Sequence, residues 1–166
     1  MSAPLLQPDP KDAPNFGWLA PWLARGAHPN PAGYHWLCET AGIKTIVNLR
    51  AEDNTEVALA PACGFLPIYI PVRDNTAPTV DQAMQWLKLV AQLQGRPLFI
   101  HCQSGHGRTS TFCVIVRLAQ GWKLKDALDE EVSRYGFDPQ HDPQQVAFMQ
   151  AIRDEVRAGT LSLPQL

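Results

Sequence analysis

Apolar residues recur along this chain at two spacings, and each spacing marks a different kind of element. After Thr79 they return at Ala83, Trp86, Leu87, Val90 and Leu93, one face of a helix. Thr79-Val-Asp-Gln82 has the form of a capping box at its start, and Gly95 supplies its stop. Residues 44–49 and 97–101 are instead short continuous apolar runs, as expected of strands buried on both faces of a parallel sheet. Residues 65–72 read as another strand whose Pro67 and Pro71 suit its ends or an exposed side. Asn30-Pro31 gives a cap followed by proline at the first helical position, so 31–41 is predicted as a helix with Tyr34, Leu37, Cys38 and Ala41 inward and Gly42 as its close. Residues 52–62 carry a weaker helical pattern. From 108 to 120, Phe112, Ile115, Val116, Leu118 and Ala119 leave little polar surface, which predicts a central, buried helix ended by Gly121. Two more helices are expected over 125–135 and 143–158, the latter with Asp142 as cap, Gln145 completing a capping box and Gly159 as terminator.

These elements predict a single α/β domain: a central parallel or mixed sheet of about four to five strands with helices on both faces. The right-handed crossover rule puts the strands at 65–72 and 97–101 in one sheet with their carboxyl ends on the same edge. The loop containing Asp74 is thereby expected to rise beside the loop that follows His101. Residues 16–27, with Trp18 and Trp22 around Pro21, read as one or two short edge strands whose indoles cover the sheet. Residues 1–15 hold four prolines and few large apolar groups, so they are expected to form a poorly ordered or surface-draped arm, with the main domain over 16–160 and a short tail over 161–166.

Composition narrows the function. At 166 residues the chain fits one domain with a sizeable core. Fourteen basic and sixteen acidic residues give a formal charge of -2, spread without runs, which argues against a nucleic-acid footprint or a polybasic membrane anchor. Apolar stretches end well short of a transmembrane span, and the N-terminal residues lack a basic region or long hydrophobic segment, so a cytoplasmic location is expected. Cys38, Cys63, Cys102 and Cys113 show no metal-ligand spacing, so they are read as reduced thiols with no metal. Cys113, inside the apolar helix, reads as a small core residue.

The chemistry concentrates in Leu98-Phe-Ile-His-Cys-Gln-Ser-Gly-His-Gly-Arg-Thr-Ser110. A strand delivers Cys102 to the sheet edge, a glycine-containing loop turns the chain, and a helix begins. Backbone N–H groups and a helix dipole then converge on a point suited to a phosphate-sized dianion. Gly105 and Gly107 allow unusual dihedrals and close approach, Gln103 and Ser104 are expected to act mainly through their backbone N–H groups, the His106 side chain is expected to line the pocket mouth, and Arg108 offers a planar fork for two phosphate oxygens. A cation and a helix N-terminus favour the thiolate, which is the nucleophilic form of cysteine. Thr109 places a hydroxyl near the sulfur.

The order His-Cys-x-x-Gly-x-x-Arg-Thr resembles the signature of the protein tyrosine phosphatase superfamily, and the short chain resembles its dual-specificity branch. Gly42-Ile-Lys-Thr-Ile-Val-Asn-Leu-Arg50 resembles a sheet strand of the same enzymes. The resemblance implies hydrolysis of phosphomonoesters through a phosphocysteine on Cys102, without cofactor, on phosphotyrosine first and phosphoserine or phosphothreonine next. It also implies a general acid in the loop of Asp74, which the crossover argument puts at the correct edge. Asp138 and Asp142 each precede proline, as the acid does in low-molecular-weight tyrosine phosphatases, but the cysteine signature of those enzymes stands near the N-terminus. His101 points away from its neighbour Cys102 on a strand and is read as a buried residue that orients the loop. Phosphoinositide phosphatases of the superfamily usually carry lysines inside the loop; none occurs between Cys102 and Arg108, which weakens but keeps open a phosphoinositide or other small-molecule substrate. A chance Cys-x5-Arg, a rhodanese- or arsenate-reductase-like enzyme and a phosphate-binding pseudophosphatase are the competing readings. Strand context, glycines and Asp74 oppose the first, the lack of a partner cysteine in the loop the second, and the intact Cys102, Arg108 and Asp74 the third.

Overall fold

A computed structural model describes residues 5–166. Among these, five strands and six α-helices form the α/β domain that the apolar spacings predict. The strands are β1 (Gly17–Ala20), β2 (Leu23–Gly26), β3 (Thr45–Arg50), β4 (Leu66–Val72) and β5 (Leu98–His101). The helices are α1 (Pro31–His35), α2 (Ala60–Cys63), α3 (Val80–Gln92), α4 (Gly107–Ala119), α5 (Leu124–Tyr135) and α6 (Pro143–Ala158). The described residues divide into two compact units: residues 5–71 with 95–105, and residues 72–94 with 106–166.

The first unit is built on the sheet, in the order β1-β2-β5-β3-β4. β5 runs parallel to both β2 and β3, while β1 is antiparallel to β2, so the sheet is mixed. Gly26 and Asn48 pair in register with His101, which brings the carboxyl ends of three parallel strands level where β5 hands the chain to the loop at Cys102. Ligands of open α/β sheets gather at that edge. β4 closes the sheet, as its two prolines require of a strand that cannot donate throughout. β2 departs from the expected edge position: it lies between β1 and β5 with all four residues buried, Arg25 among them. A strand carrying an arginine reads as exposed because the partner of that charge is not visible in sequence.

Asn30 caps α1 as predicted, its Oδ1 accepting from the Gly33 N–H at 2.9 Å. The helix expected over 31–41 is α-helical only to His35 and continues as a π-helical turn, Trp36–Thr40. The weak pattern over 52–62 resolves into a 3-10 turn, Thr55–Leu59, followed by α2. Tyr34, Leu37, Cys38, Ile43, Ile46, Phe65 and Phe99 form the core here, with Trp18 and Trp36 packed against it. Residues 5–15 make contacts with this unit, and residues 1–4 lie outside the described part. Ala13 is buried, the Trp18 indole donates to the Leu6 carbonyl, and Ala27 N–H donates to the Pro14 carbonyl.

The second unit is helical. Every residue of α4 from Arg108 to Arg117 is buried, as its apolar composition predicts. Trp86 of α3 packs edge-on against Phe112 at 6.2 Å and donates its indole N–H to the Phe112 carbonyl. Arg117 grips Glu130 of α5 with Nε and Nη2 at 2.8 and 3.0 Å. Val114, Leu124, Ala127, Phe137 and Met149 close a core among α4, α5 and α6. The Thr79–Gln82 capping box forms in both directions. The one expected at α6 does not: Asp142 makes no side-chain cap bond, and Gln145 turns its amide to the Thr76 carbonyl at 3.1 Å.

The close docking of the N-terminal segment is testable at Gly33, where a Cβ would stand 2.1 Å from the Asp12 carbonyl oxygen. Gly33→Ala should destabilise the protein by about 1–3 kcal/mol, read as a lower urea midpoint. An unchanged midpoint would show that the segment does not lie against α1.

Candidate active site

The loop after β5 begins at Cys102, which is 2 % exposed. Gly105 donates its backbone N–H to the Cys102 sulfur at 3.3 Å, the kind of contact that stabilises negative charge on a thiolate. Gly105 takes φ 73°, and a Cβ there would stand 2.8 Å from Ala27 N and from Gly26 C, so only glycine fits both the dihedral and the approach to β2. Its carbonyl is held by Arg25 Nη2 at 2.6 Å and Asn15 Nδ2 at 3.0 Å. Neither clamp is apparent from the sequence, because each partner lies some eighty or ninety residues away.

Gln103 and Ser104 are exposed. The Gln103 side chain is engaged as well as its backbone, accepting from Arg50 Nη1 at 3.1 Å. The same nitrogen pairs with Asp53 at 3.1 Å, and Asn48 accepts from the Arg50 N–H. The terminal arginine of the strand motif thus braces the loop.

His101 is fully buried. Its Nδ1 lies 3.0 Å from the Cys102 carbonyl and its Nε2 2.8 Å from Glu56 Oε2. Tyr34 donates its hydroxyl to the same carboxylate oxygen, and His28 Nδ1 lies 3.2 Å from that hydroxyl. Glu56 is 3 % exposed and was missed in the sequence, where it stands in a polar, weakly patterned stretch. Donor atoms of His28, Glu56 and His101 lie within 4.8 Å of one another, near enough to bridge a metal ion; their hydrogen bonds account for the arrangement without one.

In the second unit, His106 precedes α4 and Gly107 opens it. His106 is exposed, its ring near Gly136, and Thr109 is fully buried in the first turn. Arg108 is 2 % exposed; Nη1 donates to the Val72 carbonyl at 3.0 Å and Nη2 pairs with Asp74 Oδ1 at 3.2 Å. The structure therefore brings together the expected acid and the expected phosphate-binding arginine. Asp74 remains open, its side chain 68 % exposed. The bond from Gln145 to the Thr76 carbonyl ties the Asp74 loop to α6. Asp138 accepts from the N–H groups of Gln140 and His141, and Asp142 is buried beside His141, turn and helix-end surroundings in both cases. Cys38 and Cys63 lie together in the first unit, and burial, then the neighbouring Cys63, pushes the Cys38 thiol up to about 11.

The family described as a DSP-PTPase phosphatase fused to NAD+ kinase matches residues 20–151. The chain is 31% identical over 133 residues to the dual specificity protein phosphatase TpbA of Pseudomonas aeruginosa, covering 77% of this chain and 57% of that protein. It is 25% identical over 122 residues to the inositol diphosphatase DSP3 of Arabidopsis thaliana, covering 70% and 60%. The chain thus spans less than two thirds of either curated relative. The crystal structure of the core catalytic domain of the PP-IP phosphatase SIW14 from S. cerevisiae superposes with a TM-score of 0.72 at 21% identity, over 97% of this chain and 99% of that one. That likeness, which runs through both units, shows the fold.

His28 sets a pH signature. Burial, then the positive neighbours Arg50 and His101, outweigh Glu56 and Asp53 and lower its pKa from 6.5 to about 4. Between those values the unfolded chain binds a proton that the folded one refuses, so stability is full above about 6.5 and declines as pH falls toward about 4. Urea unfolding across this window should show that decline, and His28→Gln should flatten it; an equal slope in the variant would remove His28 as its source.

Proposed function

The chain belongs to the dual-specificity branch of the tyrosine phosphatase superfamily, in the family of phosphatase domains fused to NAD+ kinase, and on that premise we propose that it hydrolyses phosphomonoesters through a phosphocysteine on Cys102. The observation that carries the reading is the Gly105 N–H directed at the Cys102 sulfur, in a loop shaped by a left-handed glycine. The pairing of Asp74 with Arg108 supports the other half of the chemistry.

In this mechanism the Cys102 thiolate attacks phosphorus in line, forming the S–P bond as the P–O bond to the leaving group breaks. Asp74 donates a proton to the departing oxygen. As a carboxylate it then takes a proton from water, which attacks the phosphocysteine to release inorganic phosphate and regenerate the thiolate. Arg108 holds two non-bridging oxygens with its fork, and the N–H groups of Gln103, Ser104, Gly105, His106 and Gly107 take the developing negative charge. An arriving phosphate has to displace Asp74 from Arg108 Nη2, which frees the carboxyl group toward the leaving oxygen. His101 and Thr109 support the loop. No step calls on a cofactor or metal.

The substrate is a phosphorylated protein or peptide, phosphotyrosine first and phosphoserine or phosphothreonine next, in keeping with the dual specificity protein phosphatase that the chain resembles. An inositol phosphate or phosphoinositide is the second reading, favoured by the similarity to an inositol diphosphatase and opposed by the absence of lysine between Cys102 and Arg108. Among the described residues no helix is long and apolar enough to cross a membrane. Initial rates on phosphotyrosine peptides, phosphoserine peptides and inositol phosphates rank these substrates directly.

Cys102→Ser replaces the thiolate with a hydroxyl that stays protonated, so turnover of an aryl phosphate should vanish while phosphopeptide binding survives. Near wild-type hydrolysis by that variant would sink the covalent mechanism. Arg108→Lys should lose the two-point grip on phosphate and raise KM while lowering kcat.

Asp74→Asn should slow phenyl phosphate, whose leaving oxygen is strongly basic, on the order of 100- to 10,000-fold, and slow an activated nitrophenyl ester far less. If Asp138→Asn gives that leaving-group pattern and Asp74→Asn does not, the acid comes from the C-terminal segment.

A further inference from the structure

Both ring nitrogens of His101 are engaged, and the identity of their partners determines the charge on the ring. Nδ1 faces the Cys102 carbonyl at 3.0 Å; a carbonyl oxygen only accepts, so Nδ1 carries a proton. Nε2 faces Glu56 Oε2 at 2.8 Å. An ionised carboxylate also only accepts, and demands a second proton on the ring, whereas a neutral carboxyl group would donate and leave the ring uncharged. The same Oε2 already accepts from the Tyr34 hydroxyl, which is how a carboxylate oxygen behaves.

The surroundings favour the ionised carboxylate. Burial pushes the Glu56 carboxyl group up, but the His101 hydrogen bond and charge, the Tyr34 hydrogen bond and the Arg50 guanidinium outweigh it and hold Glu56 below the ordinary range. The groups that face this pair are Tyr34 from α1, His28 from the turn before α1, Arg50 at the end of β3 and Asp53 after it. The rings of His28 and His101 stand 5.6 Å apart; both cannot carry charge cheaply at that distance, and His28 is the one held neutral. Glu56 touches His101 directly, through Nε2.

We propose that Glu56 is a positioning residue for the nucleophile: its carboxylate keeps His101 as an imidazolium, which sets a buried positive charge and a fixed N–H donor on the Cys102 carbonyl. This rests on the reading of Cys102 as nucleophile. A cation one residue from the sulfur, in surroundings that screen it poorly, favours the thiolate over the thiol. The backbone hydrogen bond fixes the start of the loop, so charge and orientation reach Cys102 through the same ring. Glu56 acts only through His101 and touches no substrate.

The test begins with the wild-type protein labelled with 15N in its histidines. Long-range 1H–15N spectra at neutral pH should show both His101 nitrogens protonated, and Glu56→Gln should leave Nδ1 protonated while Nε2 becomes unprotonated. In aryl phosphate hydrolysis, Glu56→Gln should lower kcat about tenfold or more on the acid side, leave KM within about twofold and move the acid limb of the pH–rate profile to higher pH. Glu56→Asp, which keeps the charge, should recover part of the rate. A neutral His101 in the wild-type spectrum overturns the inference, even if Glu56→Gln does not fold. An unmoved pH profile in a folded Glu56→Gln protein, with Cys102→Ser inactive, overturns it and leaves the phosphatase reading standing. Absence of any phosphatase activity in the wild type overturns that reading and with it the positioning role, while the spectrum still decides the charge on His101.

Discussion

A buried guanidinium holding one carbonyl oxygen is the interaction on which the loop depends. Arg25 lies in the second strand of the sheet with no exposure to solvent, and a charge so placed is tolerated only where hydrogen bonds replace water. One of those bonds is the 2.6 Å contact to the Gly105 carbonyl. The clamp thus fixes Gly105 on its carbonyl side, while its N–H, which belongs to the preceding peptide plane, points at the Cys102 sulfur. The second clamp, Asn15, comes from the N-terminal segment, which itself lies against α1 and the end of β2. A segment with little apolar content therefore contributes to the shape of the loop.

Around the Cys102 carbonyl, polar groups that would be costly to bury singly are arranged as a connected set. His28, Tyr34, Glu56 and His101 pass hydrogen bonds from the turn before α1 to the Cys102 carbonyl. In surroundings of low dielectric such a set is stronger than its separate pairs, and it loses much when one member is removed. Arg50, Asn48 and Asp53 form a parallel brace at the end of β3 that reaches Gln103. The loop of the first unit is thus fixed from two neighbouring strands and from the chain before α1. In the second unit α4 is packed along its buried length, and Arg108 is already directed by Val72 and Asp74.

Much of the architecture and the candidate chemistry was legible in the sequence because it depends on local rules. The α3 capping box, the proline-started helices, the strands at 44–49 and 97–101 and the buried α4 follow from spacing and turn residues within a few positions of one another. Cys102, Gly105 and Arg108 stand within seven consecutive positions, so their order alone exposes them. Gln145 shows where local reasoning stops: at the third position of a helix the capping box is its ordinary use, yet its amide reaches Thr76, 69 residues away.

What the sequence by itself determined is the succession of elements and the loop that joins β5 to α4, since periodicity and turn chemistry act over one or two helical turns. Only the tertiary structure decided that β2 is an interior strand, that Arg25 clamps Gly105 and that Glu56 meets His101. Those pairs join residues 80 and 45 positions apart. A charged residue in an amphipathic or weakly patterned stretch reads as solvent-facing until the group that satisfies it is known. Burial of a charge is governed by its partner, and partners at such separations are chosen by how the strands order themselves in the sheet.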